Sequence, residues 1–360
     1  MHAGGVDTAE RYRRFADVEA KGTSPAYERT ARSVAGDDRL LRRLDRLPVE
    51  KRQPNLLLAA CRLLGAPTDV DGFLDFAHTR WPEVEAIMRD RSTQTNEPAR
   101  CASLLPLLAA LPPPLALVEA GASAGLCLYP DRYTYAYVPD DDPGAAAEVG
   151  GGSTVELRVA TSGAVPVPVP AALPTVVWRA GVDLHPLDVR RDEDMAWLRA
   201  CIWPEHDERR RRLAAAVAIA RSDPPHLVAG DLVTAIPELL AEAPAAATTV
   251  VFHSAVLSYL WPEDRERFVA AMQARPDVVW ISNEAARVVA GLTTDARPPD
   301  GVARAFLVVG VGGARVAAIA DPHGAWLRWL EAPEALWAPA ARAGRGGGGA
   351  ARRAAAGPGR

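Results

Sequence analysis

Glu119, Gly121, Ser123 and Gly125 stand at alternate positions, Glu-x-Gly-x-Ser-x-Gly, directly after the apolar run Leu115 to Val118. Glycines at that spacing let a chain leave a strand, turn sharply and present backbone N–H groups to a ligand. The acid selects the ligand. A carboxylate at a strand tip repels the phosphates of a dinucleotide and attracts the sulfonium and ammonium of S-adenosylmethionine. The same letters satisfy Gly-x-Ser-x-Gly, the nucleophile elbow of serine hydrolases, with Asp231 or Glu284 and then His323 completing the chain order Ser, acid, His. Against that alternative, the hundred residues upstream read as helix, no His-Gly-Gly oxyanion segment is present, and a charged Glu precedes the elbow.

These residues need elements to hold them. From Asp7 to about Leu111 the apolar spacing is helical, with a capping box at Asp7 and Glu10, a second start at Ser24-Pro25, and ends at Gly36 and Gly65. That predicts four to six short helices, closed by Pro112 to Pro114. Beyond this boundary strands and helices alternate. Leu115 to Glu119, Val176 to Val182, His226 to Gly230, Thr249 to His253 and Val278 to Ser282 are short β-type runs, which calls for a parallel sheet. Ala305 to Val309 and Arg315 to Ile319, joined by Gly310 to Gly313, read as a closing antiparallel hairpin. The expected fold is α/β, Rossmann-like, with about seven strands in a mostly parallel sheet. Three segments follow: a helical region 1–112, an αβ region 113–338 with an insertion at about 129–175 placed as a flap over the site, and a Gly/Arg/Ala-rich tail 339–360 expected to be disordered. Trp326, Trp329 and Trp337 sit at helical spacing and suggest a last helix packed on the sheet.

Five parallel strands plus a hairpin resemble the class I methyltransferase fold over roughly Leu115 to Ile319. That resemblance implies roles for particular residues. Asp183, ending Arg179-Ala-Gly-Val-Asp183, corresponds to the acid that holds the ribose hydroxyls, although about 64 residues separate it from Glu119 where roughly 20 is usual. Asp231 corresponds to the acid near the adenine. His253 and Tyr259, in His253-Ser254-Ala-Val-Leu-Ser258-Tyr259, fall where the methyl group meets its acceptor, and either could take the acceptor's proton. The cofactor set is thus Glu119, Gly121, Ser123, Gly125, Asp183 and Asp231. Arg91, Gln94 and Asn96, in the polar segment Arg91 to Glu97, are candidate substrate contacts if the helical region covers the strand ends.

More closely, Arg91-Ser-Thr-Gln-Thr-Asn-Glu97, Gly121-Ala-Ser-Ala-Gly-Leu126 with Asp131-Arg-Tyr133, Gly181-Val-Asp-Leu184 and Pro322-His-Gly324 resemble an uncharacterised bacterial family, domain of unknown function 2332. The family supplies relatives and no activity. Cys127 and Pro130 depart from its pattern, which implies a shortened first helix.

Each residue also has a plainer reading. Glu119 could cap a helix, Asp183 could make an Asx turn, His253 could be a hydrogen-bonded core residue, and His323 could shape a turn. Arg209 to Arg212 reads as a solvated helix face. A protein that kept the nucleotide-binding fold without catalysis is the third functional alternative.

The chain has 360 residues, 49% hydrophobic, with a formal charge of −4 that includes five arginines and no acid after Ala340, so the body is more acidic still. Nucleic acid is therefore not the expected partner. Cys61, Cys101, Cys127 and Cys201 lack zinc spacing and read as buried, reduced thiols. The longest apolar stretch, Ala102 to Val118, is broken by prolines, so neither a membrane span nor a secretory signal is expected, and a cytoplasmic protein with a small-molecule substrate is.

Overall fold

Capping chemistry places the first helices. In the computed structural model, which describes residues 7–301 and 305–337, α1 (Thr8–Arg14) continues into a π-helical turn, and α2 (Pro25–Val34), α3 (Asp38–Leu44), α4 (Pro54–Leu63), α5 (Val70–Thr79), α6 (Trp81–Asp90) and α7 (Cys101–Ala109) follow. Ser24, Asp37 and Asp69 each accept a first-turn N–H with their side chains. Asp7 does not, so the expected capping box there is absent, and seven α-helices stand among the described residues of this region where four to six were expected. The tail expected to be disordered lies outside the described residues.

The αβ region begins with β1 (Leu115–Ala120), and β2 (Thr134–Pro139), β3 (Ala147–Val149), β4 (Glu156–Ser162) and β5 (Val176–Asp183) come next. Then follow α8 (Asp192–Cys201), α9 (Asp207–Ser222), β6 (His226–Ala229), α10 (Leu232–Glu242), β7 (Thr248–Ser254), α11 (Pro262–Gln273) and β8 (Val279–Ala285). β9 (Leu307–Val311), β10 (Arg315–Ala320), β11 (Trp326–Trp329) and α12 (Pro333–Trp337) complete the chain.

All eleven strands form one mostly parallel sheet in the order β3-β2-β4-β11-β10-β9-β8-β7-β1-β5-β6. Its parallel half, β6-β5-β1-β7-β8, is a doubly wound arrangement whose direction of winding reverses at β1. The β9–β10 hairpin forms as expected.

Two expectations fail here, and together they explain the strand count of eleven against seven. The insertion is not a flap. Tyr133, Tyr135 and Tyr137, then Leu157 and Val159, are buried at every second residue. That alternation gives β2 and β4 one apolar face, and β4 pairs with β11 (Ala160 with Trp326), extending the sheet. Trp326 and Trp329 lie on a strand, not a helix. Their odd separation sends the indoles to opposite faces, Trp326 into one core cluster and Trp329 into the other.

The two faces are covered differently. Val118, Ala120, Ala180, Val182 and Val251 pack under α10 and α11. The opposite face, with Leu115, Leu117, Val250, Phe252 and Ile281, shares a continuous buried cluster with the helices that precede β1 and with α8 and α9. Among the described residues, no helix is long and apolar enough to cross a membrane.

Candidate functional site

The turn after β1 is left-handed at alternate positions, but it does not present free N–H groups as expected. Gly121, Ser123 and Gly125 have φ of 75°, 53° and 72°, and Ser123 holds this left-handed conformation without glycine's freedom. Nearly every N–H in the turn has a partner within the protein. Those of Gly121 and Ala122 go to the Val182 carbonyl, that of Ser123 to Asp183 Oδ2 (2.8 Å), that of Gly125 to the Ala122 carbonyl and that of Leu126 to Asn96 Oδ1 (2.9 Å). The expected helix after the turn shrinks to one 3-10 turn, Leu126–Leu128, ahead of Pro130. The turn is also tightly seated. A Cβ on Gly181 would come 2.5 Å from Ala122 Cβ, and one on Gly121 would come 2.4 Å from Val256 Cγ2.

Glu119 is 2% exposed, and its Oε2 has no hydrogen-bond partner among the described residues. Burial pushes its carboxyl well above the usual range, the neighbouring Cys127 and Asp183 push the same way, and Arg100 opposes. Asp183 does two things at once: Oδ2 holds the Ser123 amide, and Oδ1 accepts the His185 N–H as an Asx turn. Asp231, at the end of β6, caps α10 through the Val233 N–H.

The polar segment does cover the strand ends. Gln94 accepts from Ser123 Oγ (2.8 Å) and donates to the His185 carbonyl (2.9 Å), so it bridges the loops after β1 and β5. Asn96 holds Leu126, as above. Arg91 turns away from both, donating to Asp194 Oδ1 at 2.9 Å.

His253 is the core residue of the plainer reading. It is fully buried on the α10–α11 face, with Nδ1 2.8 Å from Glu284 Oε1 and Nε2 2.9 Å from Trp280 Nε1. An indole nitrogen only donates, so His253 Nε2 accepts and its proton sits on Nδ1, facing a carboxylate that also takes the Val256 and Leu257 amides. Tyr259 is 73% exposed beyond the same strand. Ser123, whose hydroxyl is bonded to Gln94, has no histidine among its hydrogen-bond partners in the described residues.

A second polar assembly was not legible as such. Glu97, 3% exposed, accepts Nε–H from both Arg209 and Arg212 at 2.7 Å. Burial pushes its carboxyl up, but the two guanidiniums win and hold it at about 2. The reading of Arg209 to Arg212 as a solvated face is thus wrong for both arginines, whose side chains are only 14% and 11% exposed. Their i, i+3 spacing, which puts two cations on one helix face, was the available signal. Arg100, 7% exposed, donates to the Pro322 and Ser254 carbonyls and ties the turn before β11 to the end of β7. Arg179 makes a bidentate pair with Asp131 (2.8 and 2.7 Å) and lies over the Tyr129 ring, anchoring the chain that leaves the glycine turn.

A family model described as "Uncharacterized protein conserved in bacteria (DUF2332)" matches residues 9–329, and the chain belongs to that family. Neither the curated proteins nor the solved structures give a match.

Proposed function

We propose that the protein binds S-adenosylmethionine at the crest formed by the ends of β1, β5 and β6 and acts as a methyltransferase-like enzyme on a small molecule. One observation carries this reading: the glycine turn is left-handed at alternate positions, yet its N–H groups are engaged by Val182, Asp183, Ala122 and Asn96. A dinucleotide needs such donors for its pyrophosphate. S-adenosylmethionine carries no phosphate, and the carboxylates of Asp183 and Asp231 at neighbouring strand ends suit its hydroxyls, amine and positive charge. When bound, the cofactor supplies an activated methyl group.

The chain's own residues would orient and desolvate. Asp183 and Asp231 hold the ligand while Glu119, buried beneath the turn, adds a polar floor. Gln94 and Val256 cover the crest and exclude water, and both side chains must shift for a ligand to enter. His253 acts through position alone, by fixing Glu284 under the Val256–Leu257 backbone. The exposed hydroxyl of Tyr259 is the group left to meet the acceptor.

Titration calorimetry with S-adenosylmethionine and with NAD tests the proposal. Binding of the first and not the second is the expected result, with loss of binding in Asp183→Asn. Binding of NAD alone, or of neither at millimolar concentration, rejects it. Labelling of Ser123 by a fluorophosphonate would favour the hydrolase alternative instead.

A further inference from the structure

A cleft of about 810 Å³ opens between the α8–α9 connection, the ends of β2 and β4, and the turn Asp321 to Gly324. It stands apart from the glycine turn, and none of the cofactor candidates lines it. Arg209 and Arg212 form one wall. Because Glu97 takes the Nε–H of each, their terminal nitrogens are left for other partners: Arg209 Nη1 lies 3.3 Å from His206 Nδ1, and Arg212 Nη1 donates to Glu208 at 3.2 Å. Neither Nη2 has a partner among the described residues.

Arg158 lines the same cleft from β4. It is exposed on the cleft wall and makes no ion pair or side-chain hydrogen bond among the described residues. Behind the turn stands Arg100, with no carboxylate oxygen within 4.0 Å among the described residues, bonded only to two carbonyls. His323, on the turn itself, has a Nδ1 with no partner among the described residues.

The acids of the cleft are elsewhere engaged or exposed. Glu205 accepts from Ser24 Oγ and the Ala26 N–H, and Asp321 accepts from the His323 and Ala325 N–H groups. Asp207 and Glu208 are exposed and paired with Arg210 and Arg212, and Asp140 is exposed. Arg209 and Arg212 are thus the partly buried charges of the lining, whereas Asp140, Glu205, Asp207 and Glu208 are exposed. Partly buried guanidiniums in excess of the buried carboxylate favour an oxyanion ligand, which they bind with charge-assisted hydrogen bonds.

We propose that this cleft binds a small molecule with one oxyanion group, carboxylate or phosphate, on a neutral or cationic body, the oxyanion seated between Arg209, Arg212 and Arg158. A polyanion is disfavoured by the exposed acids of the lining. This site does not depend on S-adenosylmethionine binding at the crest, and its test contains none.

The experiment is calorimetry and thermal shift on the whole protein at constant ionic strength. Its probes are phosphoethanolamine, β-alanine, citrate and glycerol. The first two carry the same ammonium on a phosphate and on a carboxylate, so the tighter of them names the oxyanion. Expected are binding of at least one of that pair, weaker binding of citrate, and none of glycerol. Arg158→Gln should weaken the better probe about fivefold and Arg212→Gln about tenfold or more. Arg158 makes no described side-chain bond within the protein, so its variant should fold and keep the test decisive. No binding by either zwitterion, tighter binding of citrate, or unchanged affinity in folded Arg158→Gln and Arg212→Gln would overturn the assignment.

Discussion

Glu97→Gln should convert one carboxylate into a measurable share of the protein's acid stability. The folded carboxyl titrates at about 2, against about 4.3 for an unperturbed glutamate. That difference corresponds to about 3 kcal/mol of stability. Because the folded value is depressed, this contribution is complete above about pH 5 and disappears as pH falls through 4 towards 2. His323 acts in a window that starts higher and overlaps this one. Burial first, and then Arg209 and Arg100, lower its imidazole to about 3, so the unfolded chain takes up a proton before the folded one does, and stability begins to fall below about pH 6.5. The parent protein should lose stability across both ranges. In Glu97→Gln the fall between about pH 4 and 3 should be shallower, since only His323 of the two then contributes, while at pH 7 the loss of the carboxylate strands two partly buried arginines and costs about 3–5 kcal/mol. Urea unfolding followed by tryptophan fluorescence at pH 7, 5, 4 and 3 reads both effects. Identical slopes between pH 5 and 3 in the two proteins, or equal stability at pH 7, would refute the reasoning.

Three further outcomes are expected. Gln94→Ala removes the two hydrogen bonds that close the crest, worth about 1 kcal/mol each, so S-adenosylmethionine should bind about five- to thirty-fold tighter by calorimetry. Arg179→Lys replaces a fork that spans both Asp131 oxygens with a single ammonium and should cost about 1–3 kcal/mol in chemical denaturation. Gly181→Ala brings a methyl to 2.5 Å from Ala122 Cβ, displacing the glycine turn. Its expected cost is about 1–3 kcal/mol, with loss of ligand binding at the crest.

Local patterns carried much of the architecture. The five parallel strands and the β9–β10 hairpin were visible because apolar runs and glycine punctuation act over a few residues. Cys61, Cys101, Cys127 and Cys201 are free thiols, as their scattered spacing suggested, and all but Cys201 are fully buried. The insertion was misplaced because an alternating strand states which face it buries, not which edge it joins. Trp326 and Trp329 were misread because a three-residue interval fits both one face of a helix and the two faces of a strand.

Site chemistry divided in the same way. A sharp turn at Gly121 and Gly125 and an acid at the end of β5 were legible in sequence, since glycine spacing and strand termini are local properties. Tertiary structure decided what those groups touch. It set the Asp183 carboxylate on the Ser123 amide, laid Gln94 across the turn, withdrew His253 into the core and brought Glu97 to two arginines more than a hundred residues away. The charge and hydrogen-bonding state of a side chain depend on burial and on partners distant in the chain, and no spacing rule in the sequence encodes those.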